Sequence, residues 1–210
     1  MLSDDVENHD YIATKTVTIT AGRDVKSNRV NITLGECDHD EADTRLCLHV
    51  HDALKDGENF ILVRTVDTDV IVILVGVFHD IQQDNQHVQL CVGFGTGKHF
   101  RYIIINSICQ KLGADKARAL PLFHAFTGSD VTSQFSGKGK KTAWKTWKAY
   151  TAITEAFTIS PFFPMDIPSP TFGIVKRFTC DNTTQHDKVN DLRQDLFTSK
   201  VKMMEKLPPT

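Results

Sequence analysis

The chain has 210 residues, 40% of them hydrophobic and 24% charged, with a formal net charge of -2. That is ordinary for a soluble globular protein with one sizeable domain, with or without tails. Five scattered cysteines with no CxxC pair argue against a disulfide framework, and no apolar stretch approaches the roughly 18 residues of a membrane span. The first residues, "MLSDDVENHDY", lack the pattern of a signal peptide, so an intracellular chain is expected.

Residues 14–21, "TKTVTITA", alternate β-branched side chains with a period of two, and "VNITL" at 30–34 does so again. This predicts a β-hairpin with "GRDVKSN" as its loop. The period then changes. Ala42, Leu46, Val50 and Leu54 recur at helical spacing, which predicts an amphipathic helix opened by an Asp38/Glu41 capping box and closed by Gly57.

"NFILVRTVD" and "VIVILVG" are β-branched apolar runs split by "DTD", and they read as buried strands; "VQLCVGFG" reads as a further strand. Helical spacing returns over 103–112, stopped by Gly113, and a helix through Leu122, Ala125 and Phe126 is bent or started by Pro121. "ISPFFPMDIPSPTFG" holds four of the seven prolines and reads as a linker or covering loop. The tail could form one more helix through Val189, Leu192, Leu196 and Phe197. Strands alternating with helices predict an α/β domain with a mainly parallel sheet.

Cys37 with His39, and Cys47 with His49 and His51, carry zinc-ligand chemistry but match no usual zinc spacing. Core thiols and surface histidines are the expected reading. The acids are more informative, because each group falls at the end of a predicted element. Glu41 and Asp43 open the first helix, with Asp40 in reserve because it shares a face with Asp43. Asp67 and Asp69 follow a strand, and Asp130 sits in "TGSD" after a helix. On an extended strand Asp67 and Asp69 would stand roughly 6–7 Å apart on one side. Ligands of open α/β sheets collect outside the carboxyl ends of the strands, and carboxylates gathered there suit Mg²⁺ or Mn²⁺. Singly, each acid has a plainer role as a helix cap, a macrodipole partner or a turn.

Behind Asp130 come Gly137 and Gly139, with Lys138, Lys140, Lys141, Lys145 and Lys148 and no acid between Val131 and Thr154. Glycines let backbone N–H groups approach a phosphate, and lysines attract a nucleic-acid backbone without reading its sequence. The plain alternative is a solvated helix face. Trp144 and Trp147, three apart, are expected to pack their helix rather than stack on bases.

In their order these motifs resemble the flap-endonuclease group of PIN-like, metal-dependent 5′ nucleases. "DEADTRL" is similar to the family's acid-x-acid helix opening, "TVDTDVIVIL" to its Asp-x-Asp, "KLGADKARALPLFHAFTGSD" to its run into a further ligand, and "SGKGKKTAW" to its glycine-containing helical hairpin. The same stretches, with "DLFTSKVKMMEKLPPT", look like a group of uncharacterised animal proteins associated with mobile elements.

The resemblance implies a PIN-like α/β core over 36–157 with a C-terminal helical hairpin as nucleic-acid clamp. A tail and β-hairpin would precede it over 1–35, and a Pro-rich linker and helix would follow over 158–210. It implies a nuclease in which Glu41, Asp43, Asp67, Asp69 and Asp130 bind two Mg²⁺ or Mn²⁺ ions. Asp67, Asp69 and Asp130 would be catalytic, and Gly137, Lys138, Gly139, Lys140 and Lys141 would hold nucleic acid, DNA rather than RNA. Arg64 or Lys98 would stabilise charge. Nuclear residence would follow from such a substrate. The family's first strand, with its own metal-binding aspartate, has no counterpart here, so the chain reads as truncated at its N-terminus. An inactive nucleic-acid-binding or scaffold module is therefore the alternative, and a small-molecule phosphohydrolase a third.

Overall fold

The computed structural model describes residues 16–21, 24–28, 34, 42–129, 139–159 and 169–183. Among these it is a mixed α/β structure. Strands β1 (Thr18–Ala21) and β2 (Asp24–Ser27) pair antiparallel; helix α1 (Ala42–Lys55), strand β3 (Phe60–Thr65) and helix α2 (Thr68–Asp84) follow. Strand β4 (Gln89–Phe94), strand β5 (Arg101–Ile104), helix α3 (Ile105–Leu112) and helix α4 (Ala114–Phe126) come next, and then helices α5 (Lys140–Ala149), α6 (Ile153–Ile159) and α7 (Ser169–Thr183). The three-stranded sheet has the order β3-β4-β5, with β3 parallel and β5 antiparallel to β4. It is therefore a mixed sheet among the described strands, where a mainly parallel one was expected.

The sheet's alternation decides where the core forms. Ile61, Val63, Leu90 and Val92 face the helices and are buried with Val50 of α1, Ile105 and Cys109 of α3, and Ala117 of α4. On the other face Phe60, Leu62, Tyr102 and Ile104 are each about half exposed or more. Beyond β5, Asn106 continues the ladder of β4: its Oδ1 accepts from Leu90 N–H at 2.9 Å and its Nδ2 donates to Val88 O at 2.8 Å.

Several expectations need correcting. "VIVILVG" is not a strand; it lies inside the 17-residue helix α2. Val70, Leu74, Val75, Phe78 and Ile81 are buried, and α1, α3 and α4 all pack on the helix. A helix enclosed this way is apolar nearly all round and loses its amphipathic signature. The hairpin's second strand is "DVKS", inside the expected loop; of "VNITL" only Leu34 is described, and it lies outside any strand.

Pro121 does not start α4, which begins at Ala114 and carries the proline inside it. Residues 169–173 of the expected linker belong to α7, while 160–168, the tail helix and the Asp38/Glu41 box lie outside the described residues.

A second core joins α4 to the C-terminal helices. Phe123 stacks on Trp147 with centroids 4.5 Å apart, and Phe157 and Phe178 meet edge to face at 5.6 Å. Trp147 is buried, and its Nε1 donates to Thr154 Oγ1 at 2.9 Å. The tryptophans thus pack α5 onto α4, as expected of that pair.

Candidate functional site

Strand β3 ends at Thr65, and two residues later Asp67 caps α2, its Oδ1 accepting from the N–H of Asp69 at 2.8 Å. Thr65 Oγ1 in turn accepts from Asp67 N–H at 3.0 Å. The pair expected to project from one side of a strand instead sits on a helix N-terminus, where its charge complements the macrodipole. It still lies outside the carboxyl end of a sheet strand.

Arg64 organises that end of the sheet. Its Nη1 donates to Thr65 O at 2.9 Å and Gly93 O at 2.8 Å, its Nη2 to Gly95 O at 2.6 Å, and its guanidinium lies 4.9 Å from the Phe100 ring centroid. The expected charge stabiliser is thus a clamp on backbone carbonyls. Lys98 lies in the exposed turn Gly97–His99.

Asp69 makes the contact that the sequence did not announce. Its Oδ1 accepts from His124 Nε2 at 2.9 Å. A carboxylate only accepts, so the imidazole N–H donates. The carbonyl of the same histidine accepts from Lys140 Nζ at 2.8 Å, and Thr127 Oγ1 lies 3.4 Å from that amine. Burial lowers the Lys140 pKa below its ordinary value, and the nearby charge of Asp69 opposes that shift. The first residue of α5 therefore closes on the carboxyl end of α4, beside an acid of α2.

The other expected site residues fall as follows. Asp43 lies in the first turn of α1. Burial pushes the Cys47 thiol up to about 11, with the Asp43 charge adding to it. Gly139 is the N-cap of α5, extended at φ -81, and no described residue lies within 4 Å of where its Cβ would be. Lys141, Lys145 and Lys148 are exposed along α5, opposite the buried Ala143 and Trp147. Glu41, Asp130, Gly137 and Lys138 lie outside the described residues.

The donor set suits a hard cation. Asp67 and Asp69 each keep an Oδ2 without a hydrogen bond from a described residue. Mg²⁺ commonly takes one or two carboxylates and fills its remaining positions with water and substrate phosphates. Among the described residues no group of three or more His, Cys, Asp or Glu side chains gathers as metal ligands, so Asp43 does not complete such a group with Asp67 and Asp69. A second ion would depend on Glu41 and Asp130. An open cleft lined by His79, Gln82, Gln83, Gln86, Ala114 and Arg118 lies at the other end of α2 and holds no carboxylate among those residues.

Comparisons of the chain with protein-family models, with curated proteins and with solved structures give no match. No described helix is long and apolar enough to cross a membrane.

Proposed function

We propose that this chain is a divalent-metal-dependent, structure-specific nuclease with a PIN-like core. The observation that carries the reading is the adjacency of the acid pair and the basic helix. Lys140, at the start of the basic helix α5, is tied to the backbone of His124, whose ring holds the Asp69 carboxylate. A polyanion drawn along the exposed lysines of α5 would pass beside Asp67 and Asp69.

In this reading Asp67 and Asp69 hold the cation through their remaining oxygens, and a second ion would depend on Glu41 and Asp130, with Asp43 outside that group. Such a cation lowers the pKa of a bound water and offsets charge at the phosphodiester. Lys141, Lys145 and Lys148 attract the nucleic-acid backbone, DNA before RNA. Gly139, with no described residue within 4 Å of a β-carbon there, would let a phosphate approach the N-terminus of α5, where the dipole favours negative charge.

Two observations favour the other reading, an inactive PIN-like nucleic-acid-binding or scaffold module. Asp69 already has His124 and Lys140 beside it, which offsets its charge without a metal. The uncovered sheet face at Phe60, Leu62, Tyr102 and Ile104 is the kind of apolar surface that marks a protein contact.

Incubation with flap, nicked and single-stranded DNA and RNA, in Mn²⁺ and in EDTA, separates the two. Cutting that requires Mn²⁺ and is lost in Asp67→Ala supports the nuclease. Salt-sensitive binding without cutting supports the module.

A further inference from the structure

We infer that His124 is the positioning residue of the acid site, fixing the Asp69 carboxylate so that one oxygen remains for a cation while anchoring the start of α5. The inference rests on the nuclease reading in one respect: it takes the cation to bind at Asp67 and Asp69.

The geometry has three parts. His124 Nε2 and Asp69 Oδ1 are 2.9 Å apart, with side-chain exposures of 17% and 33%. A carboxylate one-third exposed on the first turn of a helix would otherwise sample several rotamers; a donor from a more enclosed ring selects one. The helices carrying the two residues are themselves fixed, because Pro121 of α4 presses on Gly76 of α2, leaving His124 one turn further on and facing the start of α2. Finally, the His124 carbonyl accepts from Lys140. One residue therefore holds the acid through its ring and the basic helix through its backbone.

A hydrogen bond donated to a ligating carboxylate orients it, and its removal typically weakens metal binding about 10- to 100-fold. The backbone contact with Lys140 survives substitution of the histidine, so the two roles separate experimentally. A purely structural His124–Asp69 pair would alter unfolding but leave metal affinity unchanged.

The test measures Mn²⁺ affinity by calorimetry and electron paramagnetic resonance for the wild type, His124→Ala, His124→Gln and Asp69→Asn. Imidazole ¹⁵N shifts are followed as Mg²⁺ is added to the wild type. Expected is a loss of about 10- to 100-fold in His124→Ala and recovery of most of it in His124→Gln, which restores an N–H donor. The His124 resonances should move with Mg²⁺ while those of His87, beyond the far end of α2, stay fixed. Wild-type affinity in His124→Ala overturns the inference and leaves the nuclease reading standing. A wild type that binds no Mn²⁺ at millimolar concentration overturns both. If His124→Ala does not fold, the Gln variant and the ring shifts decide: unmoved His124 resonances in a Mg²⁺-saturated protein overturn the inference.

Discussion

Pro121 occupies the space that a β-carbon on Gly76 would fill, so α2 and α4 meet with the proline ring against bare backbone. That contact sets the spacing of the two helices that carry Asp69 and His124. Gly76→Ala should cost about 1–3 kcal/mol through overpacking. Adding Pro121→Ala should recover part of the loss, since both act at one contact. Urea unfolding of the two single variants and the double variant checks this, and strictly additive losses would contradict it.

Arg45 is buried, and among the described residues none of its guanidinium nitrogens has a hydrogen-bond partner. A buried unpaired charge is costly, whereas its aliphatic stem packs like an apolar side chain. Arg45→Met should therefore stabilise the protein by on the order of 1–3 kcal/mol. A lower urea midpoint in that variant would show that the guanidinium has a partner not described here.

His49 gives a pH dependence with a definite sign. Its pKa is lowered, first by burial and then by the Arg45 charge, against an opposing pull from Asp52; its Nε2 meets Thr20 Oγ1 of β1 at 2.9 Å. As pH falls the unfolded chain takes up this proton first. The contribution of His49 to stability is thus complete above about 6.5 and is lost as pH drops through the lowered folded value. His49→Gln should flatten the acid side of a stability–pH curve, and Arg45→Met should make it shallower. An unchanged curve in both variants would refute the assignment.

Lys140 and Lys141 are neighbours with different duties. Lys140 is held by His124 O and Thr127 Oγ1, while Lys141 is exposed. Lys141→Ala should leave the melting temperature unchanged and lower nucleic-acid affinity with a salt slope reduced by about one. Lys140→Ala should lower both stability and affinity. Equal effects of the two on stability would contradict the division.

The two halves of the fold were not equally legible. Helix α1 could be read because Leu46, Val50 and Leu54 form one apolar stripe against a polar remainder, and β4 because its run is short and bounded by turn residues. Helix α2 could not. Val70, Ile71, Val72 and Ile73 are β-branched in succession, and only enclosure by three helices and the sheet explains why they coil. Locally, "DTD" announced carboxylates at the end of a strand, but not that Asp67 would cap the next helix. His124 lies 55 residues from Asp69, and the contact exists only because α4 packs on α2. A lone imidazole on the apolar run "LPLFHAF" was the one available signal.

The central claim is that Asp67 and Asp69 hold a divalent cation beside the start of α5. Anomalous diffraction from crystals soaked in Mn²⁺ measures this without reference to activity. The account predicts an anomalous peak within coordination distance of Oδ2 on both aspartates, with His124 still bonded to Oδ1 of Asp69. A Mn²⁺-loaded crystal with no peak at these carboxylates, or with Mn²⁺ bound only elsewhere, would contradict it.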